Sequence, residues 1–132
     1  MKIYVPADSS AKSVGSNPVA RILGAALPQA HMVRNGSRGM YWLEPLVEVE
    51  TDQGRVAYGP IYAADAESLA VALNGNGDHP KFLGVTSQLP WIREQTRLTF
   101  ERVGIIDPLD PVDFQAHGGL AGLRQALAVT SE

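Results

Sequence analysis

The residues best suited to chemistry gather in one stretch, Arg34-Asn35-Gly36-Ser37-Arg38-Gly39-Met40-Tyr41-Trp42. Two arginines flank a glycine-rich turn, and two adjacent aromatics follow it. Backbone amides in such a turn, with guanidinium forks beside them, suit an anion, a nucleotide or the acidic edge of a partner. Tyr and Trp beside Arg are also the residue types enriched at protein interfaces. The same segment reads equally well as a loop whose aromatics close the end of a core. The candidate interface or anion-binding residues are therefore Arg34, Asn35, Ser37, Arg38, Tyr41 and Trp42.

Other constellations carry less. His31, His79 and His117 are the three histidines, and none lies three or four residues from another, so no helix presents a pair of imidazoles to a metal. Asp107, Asp110 and Asp113 are evenly spaced, but Pro108 and Pro111 interrupt any common helical face. The glycine and distal glutamate of an EF-hand loop are missing, so turn and helix capping is the better reading of these aspartates. Ser9-Ser10-Ala11-Lys12 has the serine–lysine spacing of β-lactamase-like enzymes without their companion motifs. His117-Gly118-Gly119-Leu120-Ala121-Gly122 lacks the first glycine of a dinucleotide fingerprint and the strand that should precede it. No catalytic, cofactor-binding or metal-binding residue is assigned from these patterns.

Composition narrows the classes further. The 132 residues include no cysteine, which excludes disulfides, a thiolate nucleophile and any cysteine-ligated zinc or iron–sulfur centre. Eleven basic residues against fourteen acidic ones leave a net charge of −3, which argues against nucleic acid as a partner. No apolar run approaches the ~20 residues that span a bilayer. The opening Met1-Lys2-Ile3-Tyr4-Val5-Pro6 lacks the longer apolar stretch of a signal peptide. The expectation is a compact, soluble cytoplasmic domain with neither nucleic acid nor membrane as a partner.

Periodicity indicates the elements that must position the loop. Lys2–Val5 reads as a short strand closed by Pro6. Asn17-Pro18 opens a helix on which Val19, Ile22, Leu23, Ala26 and Leu27 form one apolar face, ended by Pro28. Residues 30–34 return as a second strand, parallel to the first. Val47 and Val49 alternate with Glu48 and Glu50 as on a half-buried strand, and Arg55–Tyr58 is its hairpin partner beyond Asp52-Gln53-Gly54. Asp65 caps a helix with Leu69, Ala70, Ala72 and Leu73 on one stripe, stopped at Asn74-Gly75. This βαβ–ββα order is that of an α/β thioredoxin-like core over residues 1–75. Residues 76–132 then read as a linker and a helical extension, with a charged helix over 91–103 and an interrupted one from Val112 to Val129.

Several stretches resemble the N-terminal part of the flavin-binding β subunit of NAD-dependent formate dehydrogenases, a family related to the NADH-binding subunit of respiratory complex I. They are Val33–Gly39, Tyr41–Glu50, Ala57–Pro60, Pro90–Ile92, Gln95–Phe100 and Ala116–Gly119. The resemblance implies a longer parent polypeptide with a flavin- and NAD-binding domain, and FMN, NAD and iron–sulfur clusters in the complex. The core is also similar to the small thioredoxin-like ferredoxin subunit of such complexes, which holds a two-iron, two-sulfur cluster on four cysteines. Aligned on Gly39 and Pro45, Ser37 and Tyr41 stand where the later ligand pair would be, and the earlier pair falls near Pro6 and Ala11. All four ligands are thus replaced.

The expected function is a structural or docking domain of the β subunit, without a redox centre of its own. Its partners would be its own flavin-binding domain and the other subunits, with the extension leading toward that flavin domain. The alternative is a free-standing anion- or nucleotide-binding module built on the Arg34–Trp42 loop.

Overall fold

The computed structural model describes residues 1–129. Its centre is a mixed five-stranded sheet: β1 (Lys2–Tyr4), β2 (His31–Val33), β3 (Val47–Thr51), β4 (Gly54–Tyr58) and β5 (Phe82–Val85), in the order β2-β1-β3-β4-β5. β1 and β2 run parallel with Ile3 opposite Met32, and β3 runs antiparallel to β1 with Val49 opposite Ile3. β3 and β4 form the expected hairpin, and β5 closes the far edge antiparallel to β4. β5 lies beyond residue 75, in the stretch that the sequence assigned to a linker.

Side chains alternate across the sheet, so each strand addresses two faces. Ile3, Val47, Val49 and Tyr58 point to the face covered by α2 (Ser16–Ala26) and α3 (Ala63–Asn74), where Val19, Leu23, Leu27, Ala66 and Leu69 complete the core. The parallel βαβ unit and the hairpin thus form the expected thioredoxin-like arrangement.

Three helix starts differ from the sequence expectation. The serine-rich loop contains a short helix, α1 (Ser9–Ser13), whose N-cap Asp8 accepts the Ala11 amide at 3.0 Å. Gly15, at φ 101°, makes the corner into α2, which therefore begins at Ser16 rather than at an Asn17 cap. In α3 the N-cap is Tyr62, and Asp65 sits in the first turn and accepts the Tyr62 amide at 2.9 Å.

The second face of the sheet carries Tyr4, Glu48, Arg55 and Ala57. Met40, Leu46 and Ala57 are buried there with Leu43, Leu83, Leu89 and Ile92 around them. The charged helix expected over 91–103 is one turn only, α4 (Pro90–Arg93). Beyond it the chain folds in turns back over the sheet, burying Ile106. Arg97 ties these turns to the loop by donating to the Arg38 carbonyl at 2.9 Å and to the Val103 carbonyl at 3.0 Å. α5 (Pro111–Ala116) and α6 (Ala121–Ala128) follow, separated at Gly118-Gly119 as the sequence suggested, whereas Gly122, read as a third interruption, lies within α6. Asp110 caps α5, and Asp107 and Asp113 accept amides of the same turn, the capping role read from their spacing. The extension's last residues, 130–132, lie outside the described residues. Among the described residues no helix is long and apolar enough to cross a membrane.

Candidate functional site

Because β1 and β2 are parallel, the loops leaving them emerge at the same end of the sheet. The Val5 amide donates to Val33 at 3.0 Å and the Ala7 amide to Asn35 at 2.9 Å, so the two loops run on side by side. This brings together the segments that hold Pro6, Ala11, Ser37 and Tyr41.

A polar network closes that crossing. Ser10 Oγ lies 2.7 Å from Asp8 Oδ1 and 3.0 Å from Glu44 Oε2. Ser37 donates its amide to the other Asp8 oxygen and its hydroxyl to Glu44 Oε1. Glu44 is buried, and its carboxylate accepts the Ser37 hydroxyl, while the single proton of Ser10 Oγ lies between the Asp8 and Glu44 carboxylates. Pro6 and Ala11 are also buried, Ser37 is half-buried and Tyr41 is exposed. A two-iron, two-sulfur cluster of ferredoxin type needs four thiolates. Proline, alanine, serine and tyrosine at these positions, in a chain with no cysteine, do not fit one. Among the described residues no group of three His, Asp or Glu could hold a metal ion.

The two arginines of the loop turn inward. Arg34 Nε donates to the Val5 carbonyl at 3.0 Å, and Nη2 reaches the Pro6 carbonyl at 3.2 Å and Asn17 Oδ1 at 2.8 Å. Burial holds its guanidinium below the usual arginine value, with Asp107 acting in the opposite direction. Arg38 grips Glu48 with both arms of its fork, Nε to Oε1 at 2.6 Å and Nη2 to Oε2 at 2.8 Å. Arg55 adds a contact to Glu48 Oε2 at 3.4 Å while its guanidinium lies 3.4 Å from the centre of the Tyr4 ring. Glu48, only 1% exposed, was expected on the solvent side of its strand. It is instead the buried anion between two arginines, under the returning tail. Asn35 is buried too, donating to the Gly104 carbonyl at 2.8 Å and so tying the loop to that tail.

The aromatics turn outward. A 3-10 turn at Tyr41–Leu43 tucks Leu43 against the second cluster and leaves Tyr41 65% and Trp42 59% exposed. Trp42 meets the half-exposed Trp91 of α4 edge to face, with ring centroids 5.3 Å apart. A groove of about 1040 Å³ runs beside them between Asp8, Ser37, Tyr41, Trp91, Arg97 and Phe100. The six candidate residues therefore divide: Arg34, Asn35, Ser37 and Arg38 hold the loop in place, and Tyr41 and Trp42 form the accessible surface.

Sequence reasoning missed Glu44, Glu48, Arg55 and Trp91, each of which meets its partner through the fold, and Asp8, whose place before Ser9-Ser10-Ala11 was a local capping signal. It also missed a pairing of Ser68 Oγ with His79 Nε2 at 3.2 Å. That pair is not a nucleophile and base. His79 Nδ1 accepts the Lys81 amide at 3.2 Å, so the ring proton sits on Nε2 and points at the serine. Ser68 in turn donates to the Asp65 carbonyl at 2.8 Å.

No protein-family model matches the chain, and no curated protein is similar to it. Among solved structures it is similar to a variant of the thioredoxin-like 2Fe-2S ferredoxin from Aquifex aeolicus, at TM-score 0.50 and 18% sequence identity. The likeness covers 61% of this chain and 92% of that one. It shows the fold: this is an α/β chain of thioredoxin-like ferredoxin architecture.

Proposed function

We propose that this chain is a docking domain of an NAD-dependent formate dehydrogenase-type oxidoreductase, the N-terminal part of its flavin- and NAD-binding β subunit. In this reading it carries no electron itself. Its partners are the flavin-binding domain and the cluster-bearing subunits, which supply the FMN, NAD and iron–sulfur centres of the complex.

One observation carries the proposal. The crossing of the β1 and β2 loops is sealed by Asp8, Ser10, Ser37 and Glu44, while Tyr41, Trp42 and Trp91 stand exposed directly beside it. The seal makes the end of the sheet a rigid base. Rigid, half-exposed indoles on such a base lose little side-chain freedom on contact and bury large areas, the qualities of an interface hot spot. The inward arginines support the same reading over the anion-binding alternative, since the forks of Arg34 and Arg38 are engaged by their own chain.

The test is size-exclusion chromatography of this chain mixed with the separately purified cluster-bearing subunit and the flavin-binding domain of such an enzyme, the latter prepared without its own N-terminal part. Co-elution of the wild type, lost on Trp42→Ala, is the expected result. Separate elution of the wild-type chain would overturn the proposal.

A further inference from the structure

We infer that residues 95–101 form a hinged flap, latched shut by Arg97, that gates the groove beside Tyr41 and Trp91. The flap belongs to the free chain and needs no docking partner, so its test is separate from that of the docking reading.

Between α4 and α5 the chain runs from 94 to 110 without a helix or strand. Connections beyond about 12–15 residues with no secondary structure are uncommon, and lids and binding loops are among their usual roles. Both ends of the flap are fixed. Ile92, just before it, packs against the second apolar cluster. Just after it, Arg102 donates to the His117 carbonyl at 2.7 Å. Asn35 and Arg55 then hold the Gly104 carbonyl at 2.8 Å and 3.3 Å, and Ile106 is buried. Between these anchors the apolar side chains look outward, Leu98 84% and Phe100 67% exposed. Little apolar burial holds the flap down, which is the condition for opening locally while the core stays folded.

Arg97 supplies the closure instead. Its Nε donates to Gln95 Oε1 at 2.9 Å, within the flap. Nη1 donates to the Val103 carbonyl at 3.0 Å and Nη2 to the Arg38 carbonyl at 2.9 Å. These two bonds tie the flap to its fixed far end and to the loop after β2. Burial first, and then the like charge of Arg38, hold the Arg97 guanidinium below its usual value. Among the described residues no carboxylate pairs with it. The latch is thus one side chain whose charge is favoured by release into water.

The space around Arg97 is hollow. The groove of about 1040 Å³ faces the loops that leave β1 and β2, and a second hollow of about 470 Å³ faces β4 and the turn at Thr86. Arg38, Gln95 and Arg97 line both, so they form the partition between them. Lifting the flap carries Gln95 and Arg97 away and joins the hollows into one trough, from Tyr41 to Arg55. That motion breaks a few hydrogen bonds and separates little packed apolar surface.

The experiment is double electron–electron resonance on the intact chain. The chain has no cysteine, so Val71→Cys and Leu98→Cys place two spin labels and no others. Val71 lies on α3, across the sheet from the flap, and both positions are largely exposed. One main distance, that of the closed flap, is expected when Arg97 is present. Arg97→Gln removes the charged fork and is expected to add a second, displaced distance, with the ratio of open to closed raised about tenfold or more. Hydrogen exchange of the β3 and β4 amides is expected to stay the same in both chains, as local opening requires. An unchanged single distance in Arg97→Gln would overturn the inference. So would loss of β3 and β4 protection in that variant, which would make Arg97 part of the global fold rather than a latch.

Discussion

Trp42 and Trp91, 49 positions apart in the chain, meet with their ring planes at 86° and both remain half-exposed. The contact joins the 3-10 turn after β2 to α4, in the extension. Edge-to-face aromatic pairs are coupled by about 0.5–1.5 kcal/mol beyond the area that they bury. A double-mutant cycle with Trp42→Ala and Trp91→Ala, read by urea denaturation of the free chain, is expected to return a coupling in that range. A coupling of zero would mean that the two indoles do not hold one another in place before docking.

Glu48 is expected to be the most sensitive charged position. Glu48→Gln keeps the shape but leaves the Arg38 and Arg55 guanidiniums without their buried counter-charge. Removal of one partner from such a buried group costs about 3–5 kcal/mol. Glu50, two residues along the same strand, pairs with Lys2 at 3.6 Å where both side chains are half-exposed. Glu50→Gln should therefore cost less than about 1 kcal/mol. Denaturation midpoints at unchanged slope provide the comparison.

Asp65 gives stability an acid limb. The hydrogen bond from Lys81, at 2.5 Å, holds its carboxyl below the ordinary value of 3.8. In the unfolded chain the group takes up a proton near 3.8, whereas the folded chain resists until the pH is lower. The stabilisation is thus complete above 3.8 and is lost as pH falls from there through the folded-state value. Asp65→Asn should be less stable than wild type at neutral pH, and the gap should close below pH 3.8. Thermal unfolding at a series of acid pH values checks this.

Two glycines should respond in opposite directions. Gly24 lies on the exposed side of α2, and a Cβ built there meets nothing within 4 Å. Gly24→Ala removes backbone freedom from the unfolded chain and should stabilise by about 0.5–1 kcal/mol. At Gly59 a Cβ would lie 2.6 Å from the Leu43 carbonyl oxygen and 3.0 Å from Leu46 Cδ1. Gly59→Ala should destabilise by about 1–3 kcal/mol, because backbone must move to admit it. Melting temperatures of the two variants decide the matter.

The sequence was most legible where the physics is local. The repeat of Val19, Ile22, Leu23 and Leu27 located α2, and the alternation of Val47 and Val49 located β3, because each pattern reflects burial on a single face. The same alternation misled at Glu48. It implied an outward side chain, and nothing within a few residues shows that the tail covers that face or that Arg38 and Arg55 converge on it. The helix expected over 91–103 failed for a related reason. The helix ends after one turn, and Arg97 beyond it donates side-chain hydrogen bonds to the distant Arg38 carbonyl and to Val103, contacts that no pattern within the segment shows. β5 escaped notice because four residues, Phe82–Val85, with a glycine among them, carry too little pattern to stand out from a linker. In the candidate loop, residue type gave no guide to orientation. Tyr41 and Trp42 face out as an interface needs, and Arg34 and Arg38 face in.

The most direct test of the docking account is the affinity of this chain for the cluster-bearing subunit and for the flavin-binding domain prepared without its N-terminal part, measured by calorimetry for wild type and for the Tyr41→Ala, Trp42→Ala double variant. Truncation of two hot-spot aromatics typically costs about 2 kcal/mol or more each, so the account predicts saturable wild-type binding weakened by roughly a thousandfold. Equal affinity of wild type and variant would contradict the assignment of this surface, and absence of wild-type binding would contradict docking itself.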